Sequence, residues 1–187
     1  MFKYLIKTLG CQMNICDSDD LNSVFLSHGA CRVYNVFDAD VFILNTCSVR
    51  SQSEQKAFSY IGLVEKLKRQ NLNIKIVVIG CMSERLGNSI KKRFRNIDLI
   101  VGTSSIDDIA SKIINLCCNK NYSKKINSDI NYESKIVSNI VIMRGCSNYC
   151  SYCVVPFVRG VEKNLDYDTI VNKCFSAVKN GIKEITF

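Results

Sequence analysis

Apolar and polar residues along the first half of the chain follow patterns that predict several β-strands. Residues 3–8 alternate between apolar and polar side chains, as a half-buried strand does. Residues 41–44 and 74–79 are almost continuously apolar, which is typical of strands covered on both faces. Shorter strands are expected at residues 32–36 and 99–101.

Between these strands, apolar residues recur at helical spacing. Ser18 is a candidate N-cap for a first helix that ends near Gly29. Further helices are expected at residues 53–69 and 83–94, and from a capping box of Ser105 and Asp108 to about residue 116. The alternation of strands and helices with short links predicts an α/β domain over residues 1–118, with a doubly wound and mostly parallel sheet.

The rest of the chain predicts a linker and the start of a second domain. Residues 119–135 are polar and are interpreted as a linker, although their lysines and tyrosines leave contact with a nucleic acid open. A strand is expected at residues 137–143, a helix at 167–179 and a strand at 184–187. Residues 136–187 thus predict one βαβ unit.

Composition excludes some classes of protein. The 187 residues are 47% apolar and 22% charged, which favours a packed core over disorder. No apolar run reaches the roughly 18 residues that a membrane span needs, and the first residues lack a secretory apolar segment. A net charge of +8 permits a polyanionic partner such as RNA, but the lysines are scattered and do not by themselves indicate one.

Eleven cysteines in a chain of this size require an explanation. Their odd number and the length of the chain argue against a secreted disulfide scaffold. Thiolates that bind metal in a reducing cytoplasm fit better. We therefore expect a cytoplasmic protein in which metal sites bring groups of cysteines together.

One such group is local, because Cys146, Cys150 and Cys153 have the spacing C-x3-C-x2-C directly after an apolar run. Three thiolates on one loop can hold three corners of a 4Fe-4S cluster and leave one iron open. A zinc knuckle or three buried thiols are the alternatives. Zinc sites usually pair one C-x2-C with a second, distant pair, and this loop does not follow that pattern.

A second group is distant in sequence, because Cys11, Cys47 and Cys81 each follow the end of a predicted strand. The carboxyl ends of parallel strands lie along one edge of a sheet, where ligands bind. This placement predicts a second cluster with an open iron, while packing as small buried apolar residues is the alternative. The other cysteines are assigned structural or incidental roles: Cys16, Cys31, Cys117, Cys118 and Cys174.

Five short motifs resemble those of the methylthiotransferase family of radical S-adenosylmethionine (SAM) enzymes. They are LGCQMN at 9–14, NTCSVR at 45–50, GCM at 80–82, MRGC at 143–146 and VPFVRG at 155–160. The Gln-Met-Asn after Cys11 resembles the branch that acts on prenylated adenosine in tRNA. The branch that acts on a ribosomal protein tends to carry Pro-Lys-Asn there, and the threonylcarbamoyladenosine branch Lys-Val-Asn.

The resemblance implies two 4Fe-4S clusters, and SAM as a further cofactor. The cluster on the local cysteines would cleave SAM to a radical that takes hydrogen from carbon 2 of the adenine next to the anticodon. The cluster on Cys11, Cys47 and Cys81 would present the sulfur to be transferred. No catalytic residue is expected beyond the cluster ligands, since an aromatic C–H has no acidic proton and the cofactors supply the reactivity.

The resemblance also implies roles for two side chains and several partners. Tyr152 is expected near the SAM adenine. Arg159 is a candidate for contact with phosphate or the SAM carboxylate, with an ordinary surface arginine as the alternative. Besides tRNA, the implied partner is an electron donor such as flavodoxin or ferredoxin, with no membrane attachment, and the full-length protein is expected to be a monomer.

The family continues beyond the point that corresponds to Phe187, through the rest of a partial βα barrel and a small RNA-binding domain of the TRAM type. We therefore expect this chain to be incomplete at its C-terminus and inactive alone. The alternatives are a non-catalytic iron–sulfur or zinc-binding remnant, and a methylthiotransferase that acts on a ribosomal protein.

Overall fold

The computed structural model describes residues 1–49, 51–70, 73–118 and 136–187. The predicted linker at 119–135 and Arg50 of the second motif lie outside the described residues. The strands are β1 (Lys3–Leu9), β2 (Cys31–Arg32), β3 (Val41–Thr46), β4 (Lys75–Gly80), β5 (Leu99–Val101), β6 (Val137–Asn139), β7 (Met143–Arg144), β8 (Lys163–Asn164) and β9 (Glu184–Thr186). The helices are α1 (Gln12–Ser27), α2 (Ser51–Arg69), α3 (Cys81–Arg93), α4 (Ile106–Cys118), α5 (Val155–Arg159) and α6 (Tyr167–Lys179).

The first five strands form one parallel sheet in the order β2-β1-β3-β4-β5. Helices α1 and α4 cover one face through residues that include Phe25 and Ile113, which pack with Tyr4 and Ile43 of the sheet. Helices α2 and α3 cover the other face. The prediction of a doubly wound, mostly parallel α/β sheet is therefore confirmed.

The central strand β3 shows why the continuous apolar run was informative. All six of its residues are buried, and its neighbours β1 and β4 pair with it along its whole length. Ile43 and Leu44 point to opposite apolar clusters and are each 0% exposed. Each side chain of this kind stabilises the fold by about 2 kcal/mol when it leaves water.

The start of the first helix was predicted wrongly. Helix α1 begins at Gln12 with Cys11 as its N-cap, so Ser18 lies inside the helix instead of capping it. The Asn14 side chain accepts a hydrogen bond from the Cys11 backbone N–H at 3.3 Å, which caps the helix about two turns earlier than expected. The Ser18 hydroxyl instead lies 2.8 Å from that of Thr8 on β1.

Two predicted strands are also shorter than expected. The strand predicted at residues 32–36 is reduced to β2, because Asn35 accepts a hydrogen bond from the Phe37 N–H and caps a 3₁₀ turn at Val36–Asp38. The strand predicted at 137–143 is divided into β6 and β7. Strand β7 turns away to pair antiparallel with β8, a partner about twenty residues further along that the local pattern does not reveal.

Residues 136–187 form the second unit of the chain. Apart from the β7–β8 hairpin, this unit agrees with the predicted βαβ arrangement. Strands β6 and β9 pair in parallel, and the connection between them contains α6, whose bounds match the prediction. Asp166 caps α6 by accepting a hydrogen bond from the Thr169 N–H at 3.2 Å. Among the described helices, none combines the length and the apolar character that crossing a membrane would require.

Candidate functional site

The sheet brings the ends of β1, β3 and β4 side by side. In the register of these strands, Leu9 is paired with Thr46 and Thr46 with Gly80. Cys47 and Cys81 follow their strands directly, and Cys11 follows β1 after one glycine. Because neighbouring strands are about 4.8 Å apart, the three cysteines leave the same edge of the sheet at adjacent positions.

These three thiols are shielded from water to different degrees. Cys47 is 1% exposed and Cys81 is 2% exposed, whereas Cys11 is half-buried. Burial raises the pKa of the Cys81 thiol; the guanidinium of Arg159 opposes this shift, and Cys47 and Cys11 add to it. The pKa of Cys81 thus depends on the charge of both other thiols. A thiol must lose its proton to bind metal, so binding here would release protons.

A pair of buried asparagines joins the segments that carry Cys11 and Cys47. Asn14 is 0% exposed, and its amide nitrogen donates to Asn45 Oδ1 at 2.9 Å and to the Thr46 carbonyl at 3.0 Å. Its amide oxygen accepts from the backbone N–H of Cys11 at 3.3 Å and lies 3.2 Å from Cys11 Sγ. Asn45 completes the pair by donating to the Asn14 carbonyl at 2.9 Å. The position of Cys11 is therefore tied to the end of β3.

Two glycines allow the chain segments at the carboxyl edge of the sheet to approach one another closely. A Cβ on Gly10 would lie 2.8 Å from Cys47 Cβ and 2.4 Å from Asn14 Oδ1. Gly80 has a φ of +96°, and a Cβ there would lie 2.4 Å from the Thr46 carbonyl oxygen. Larger residues at either position would displace the segments that carry the cysteines.

The three-cysteine loop is held at its base by the β7–β8 hairpin and by Gly145. The Cys146 N–H donates to the Gly160 carbonyl at 3.1 Å. Gly145 has a φ of +77°, and a Cβ there would lie 2.2 Å from the Val161 carbonyl oxygen. The chain therefore enters and leaves the loop in close contact.

Within the loop, the thiols are accessible. Cys150 is exposed and Cys146 and Cys153 are half-buried. The Cys153 N–H donates to the Cys150 carbonyl at 2.9 Å, which folds the last two cysteines into a turn. Asn148 donates to Cys146 Sγ at 3.5 Å. Tyr149 has a φ of +47°, in the left-handed region, so the loop backbone is strained at this residue.

The loop and the sheet edge are connected through charged side chains. Asp17 on α1 accepts a hydrogen bond from Arg144 at 2.6 Å through Oδ1 and from Arg159 at 3.3 Å through Oδ2. The positive charge of Arg159 also lowers the pKa of the Cys81 thiol. On the same side, Thr103 donates to the carbonyl of Val158 in α5. The second unit thus packs against the sheet edge that carries Cys11, Cys47 and Cys81.

The donor chemistry of both groups suits an iron–sulfur cluster. Within the ranges that the structure describes, no three His, Cys, Asp or Glu side chains are already arranged around one point as metal ligands. Each group nevertheless supplies three thiols, the soft donors that iron–sulfur clusters select. At the sheet edge, Gly10 and Gly80 let the segments that carry Cys11, Cys47 and Cys81 approach one another closely. The assignment of the six cysteines as ligands stays a prediction.

The two other candidate residues have very different surroundings. Tyr152 is 90% exposed, so its ring is free to contact a ligand. The alternative reading of Arg159 as a surface residue is wrong, because its side chain is only 8% exposed and is engaged by Asp17. Contact of either residue with SAM stays a prediction.

The sequence did not assign roles to Asp17, Arg144, Asn14 or Asn45. Asn14 and Asn45 lie in the quoted motifs, and an asparagine three residues after a strand-end cysteine is at the position of a capping box, which is a usable signal. Arg144 also lies in a quoted motif, but Asp17 does not, and their contact across 127 residues gave no local signal. Among the cysteines set aside, Cys16 is buried against the end of β6, with its sulfur 3.9 Å from the Asn139 carbonyl.

The fold and these side chains define a parallel α/β protein with thiol groups at the carboxyl edge of its sheet and on an adjoining loop. Residues 3–102 match the family described as Uncharacterized protein family UPF0004, and the chain belongs to this family.

Similar proteins cover nearly all of this chain. A protein of Endomicrobium trichonymphae named tRNA-2-methylthio-N(6)-dimethylallyladenosine synthase is 61% identical over 182 residues, which are 97% of this chain and 43% of that protein. A protein of Petrotoga mobilis with the same name is 38% identical over 194 residues, which are 99% of this chain and 44% of that protein. The chain thus spans less than half the length of these curated relatives.

Among solved structures, the receiver domain of the Francisella response regulator 1452 matches with a TM-score of 0.43 and 14% identity, covering 64% of this chain and 98% of that domain. This likeness is too low to support an inference about function.

Proposed function

We propose that this chain forms the cluster-binding part of a tRNA methylthiotransferase. In this proposal, Cys146, Cys150 and Cys153 hold the 4Fe-4S cluster that binds SAM, and Cys11, Cys47 and Cys81 hold an auxiliary 4Fe-4S cluster. The substrate is prenylated adenosine next to the anticodon of tRNA. The names of the relatives from Endomicrobium trichonymphae and Petrotoga mobilis support this choice over a ribosomal protein as substrate.

The observation that carries the proposal is the strand register. Leu9, Thr46 and Gly80 lie on one line across β1, β3 and β4, so each strand delivers one cysteine to the same edge. If the cysteines served only as small core residues, there would be no reason for all three to follow strand ends. The local loop adds three further thiols on the adjoining unit.

When bound, the cofactors supply a radical that removes hydrogen from an aromatic carbon and the sulfur that replaces it. The chain supplies position and exclusion of water. Cys47 and Cys81 are almost fully buried, which keeps water from that side of the auxiliary site. Cys150 and Tyr152 are exposed, which leaves room at the loop for SAM and for the substrate base.

Loading with iron and sulfide under anaerobic conditions tests the two sites. The parent chain should bind about eight irons, four for each cubane cluster. A C11A/C47A/C81A variant and a C146A/C150A/C153A variant should each bind about four. A variant with three set-aside cysteines replaced, C31A/C118A/C174A, is the matched control and should keep the parental count. Zinc without sulfide in the parent would instead support a non-catalytic metal-binding protein.

The reaction needs a separate test, since the curated relatives are more than twice as long as this chain. A chimera would join residues 1–187 to the remaining part of the Endomicrobium trichonymphae relative. We expect it to add a methylthio group to prenylated tRNA in a strain without its own methylthiotransferase, measured by mass spectrometry of digested tRNA. Loss of the product in the C11A/C47A/C81A chimera would link it to the auxiliary site, and a chimera that loads both clusters without forming product would contradict the proposal.

The same proposal implies a reducing partner and a location. A flavodoxin or ferredoxin would deliver electrons to the loop cluster, and the protein would act in the cytoplasm, where tRNA is modified. The full-length enzyme is proposed to be a monomer.

A further inference from the structure

A single carboxylate, Asp17, holds one arginine from each side of the three-cysteine loop. Its Oδ1 accepts from Arg144, two residues before Cys146, at 2.6 Å, and its Oδ2 accepts from both terminal nitrogens of Arg159 at 3.3 Å. Asp20, one turn further along α1, lies 3.7 Å from Arg144. Both oxygens of Asp17 are thus used, one for each arginine.

The contact with Arg159 is shielded from water. The side chain of Arg159 is 8% exposed and that of Asp17 is 12% exposed, which contrasts with the surface pair of Lys112 and Asp108 at 48% and 45%. An ion pair that loses most of its hydration has a cost, so a buried pair is not explained by stability alone. A functional requirement for a fixed positive charge at Arg159 would explain why the pair is buried.

The fixed charge lies against a member of the proposed auxiliary site. While bound to Asp17, the guanidinium of Arg159 also lowers the pKa of the Cys81 thiol, and its helix α5 packs against α3, which begins at Cys81. A planar guanidinium has several donors in a rigid fork and can serve both partners at once, which the single ammonium of lysine cannot do with the same geometry. Arg159 belongs to α5, which follows the three-cysteine loop, whereas Cys81 begins α3 of the first unit.

We propose that Arg159, oriented by Asp17, is a positioning residue that holds a positive charge beside Cys81 and so sets the reduction potential of the auxiliary cluster. This inference rests on the proposed function. Hydrogen bonds to the ligating sulfurs and the local charge are among the main determinants of the potential of an iron–sulfur cluster. A nearby cation stabilises the more negatively charged reduced form and therefore raises the potential.

The test measures the potential of the auxiliary cluster alone, in the 187-residue chain that also carries C146A/C150A/C153A. Redox titration followed by electron paramagnetic resonance compares this parent with R159Q and R159K. R159Q removes the charge and should shift the potential to a more negative value. R159K keeps the charge but not the fork, and should give a smaller shift in the same direction.

Arg85 provides a matched control on the same helix as Cys81. It is paired with Glu54 and hydrogen-bonds Ser48, and its side chain is 40% exposed. R85Q removes one positive charge four residues from Cys81 and should leave the potential at the parental value. An equal shift in R85Q and R159Q would mean that any lost charge has the same effect, which would overturn the inference.

The remaining outcomes separate this inference from the proposed function. Four irons at the auxiliary site with a parental potential and spectrum in both R159Q and R159K would overturn the inference and leave the proposed function standing. A parent that binds no cluster at Cys11, Cys47 and Cys81 would overturn both. If R159Q does not fold or load, R159K alone decides: a shifted potential supports the inference, and the parental value contradicts it.

Discussion

Replacement of Asn14 by alanine would show how much the placement of Cys11 beside Cys47 depends on buried hydrogen bonds. The Asn14 amide donates to Asn45 Oδ1 at 2.9 Å and to the Thr46 carbonyl at 3.0 Å, and it accepts from the Cys11 N–H at 3.3 Å. In the alanine variant these partners lose a bond in a region where Asn14 and Thr46 are each 0% exposed.

The expected cost follows from the number of groups left unpaired. A buried polar group without a partner costs about 1–3 kcal/mol, and Asn45 Oδ1 and the Thr46 carbonyl are the most buried groups that are affected. Against this, alanine gains roughly 0.5 kcal/mol over asparagine in helix propensity. We therefore expect N14A to lower the free energy of unfolding by about 3 kcal/mol, as the sum of two such losses less that gain.

Urea unfolding of the apo chain, followed by far-UV circular dichroism, measures this loss. Asn88 is exposed on α3 and serves as the control; N88A should change the stability by no more than about 0.5 kcal/mol, in the stabilising direction. After anaerobic loading, N14A should also bind less iron than the parent, because Cys11 is no longer tied to β3. An N14A variant as stable as N88A and with the parental iron content would refute the argument from buried hydrogen bonds.

Three further predictions concern other parts of the chain. G80A should lose about 3 kcal/mol, because φ is +96° and the new Cβ would lie 2.4 Å from a carbonyl oxygen; G181A, with φ of +87° and no atom within 4 Å, should lose only about 1 kcal/mol. Burial raises the pKa of the Cys16 thiol from 9.0 to about 11, so iodoacetamide should modify exposed Cys150 well before Cys16 at neutral pH. Because the folded chain holds the Cys16 proton more tightly than the unfolded chain, this group leaves stability unchanged below pH 9.0 and lowers it as the pH rises toward about 11. D166A removes the N-cap of α6 and should lower stability by about 1 kcal/mol, seen as a lower thermal midpoint.

Each of these predictions has a contrary result. Equal losses in G80A and G181A would mean that the close carbonyl contact has no energetic effect. Labelling of Cys16 as fast as Cys150, read by mass spectrometry of peptides, would contradict its burial. An unchanged thermal midpoint in D166A would show that its cap is replaced by water.

The sheet was predictable because its signals are local. The apolar run at residues 41–44 and the bounds of α6 depend on side chains that are close in sequence, and both predictions are confirmed. The position of the first three cysteines at one edge followed from the same signals, since parallel strands separated by helices share an edge. The register that aligns Leu9, Thr46 and Gly80 then agrees with that expectation.

The contacts between the two units were not predictable from the sequence. Asp17 is 127 positions from Arg144 and 142 from Arg159, and nothing in the neighbourhood of any of them indicates a partner. The hairpin of β7 and β8 was missed for the same reason, because the apolar run before Cys146 suggested one continuous strand. Helix α1 was placed too late because a cysteine is an unusual N-cap, and its partner Asn14 was not recognised as part of a cap.

The placement of β3 affects how the two groups of thiols respond to heat or denaturant. Because β3 is buried along its whole length and has a strand on each side, its amide protons exchange with deuterium only when the entire sheet opens. Cys47 follows this strand directly, whereas Cys150 lies on an exposed loop beside a two-residue hairpin. Gentle warming should therefore unfold the loop that carries Cys150 first. Cys47 should become accessible to solvent only when the whole protein unfolds.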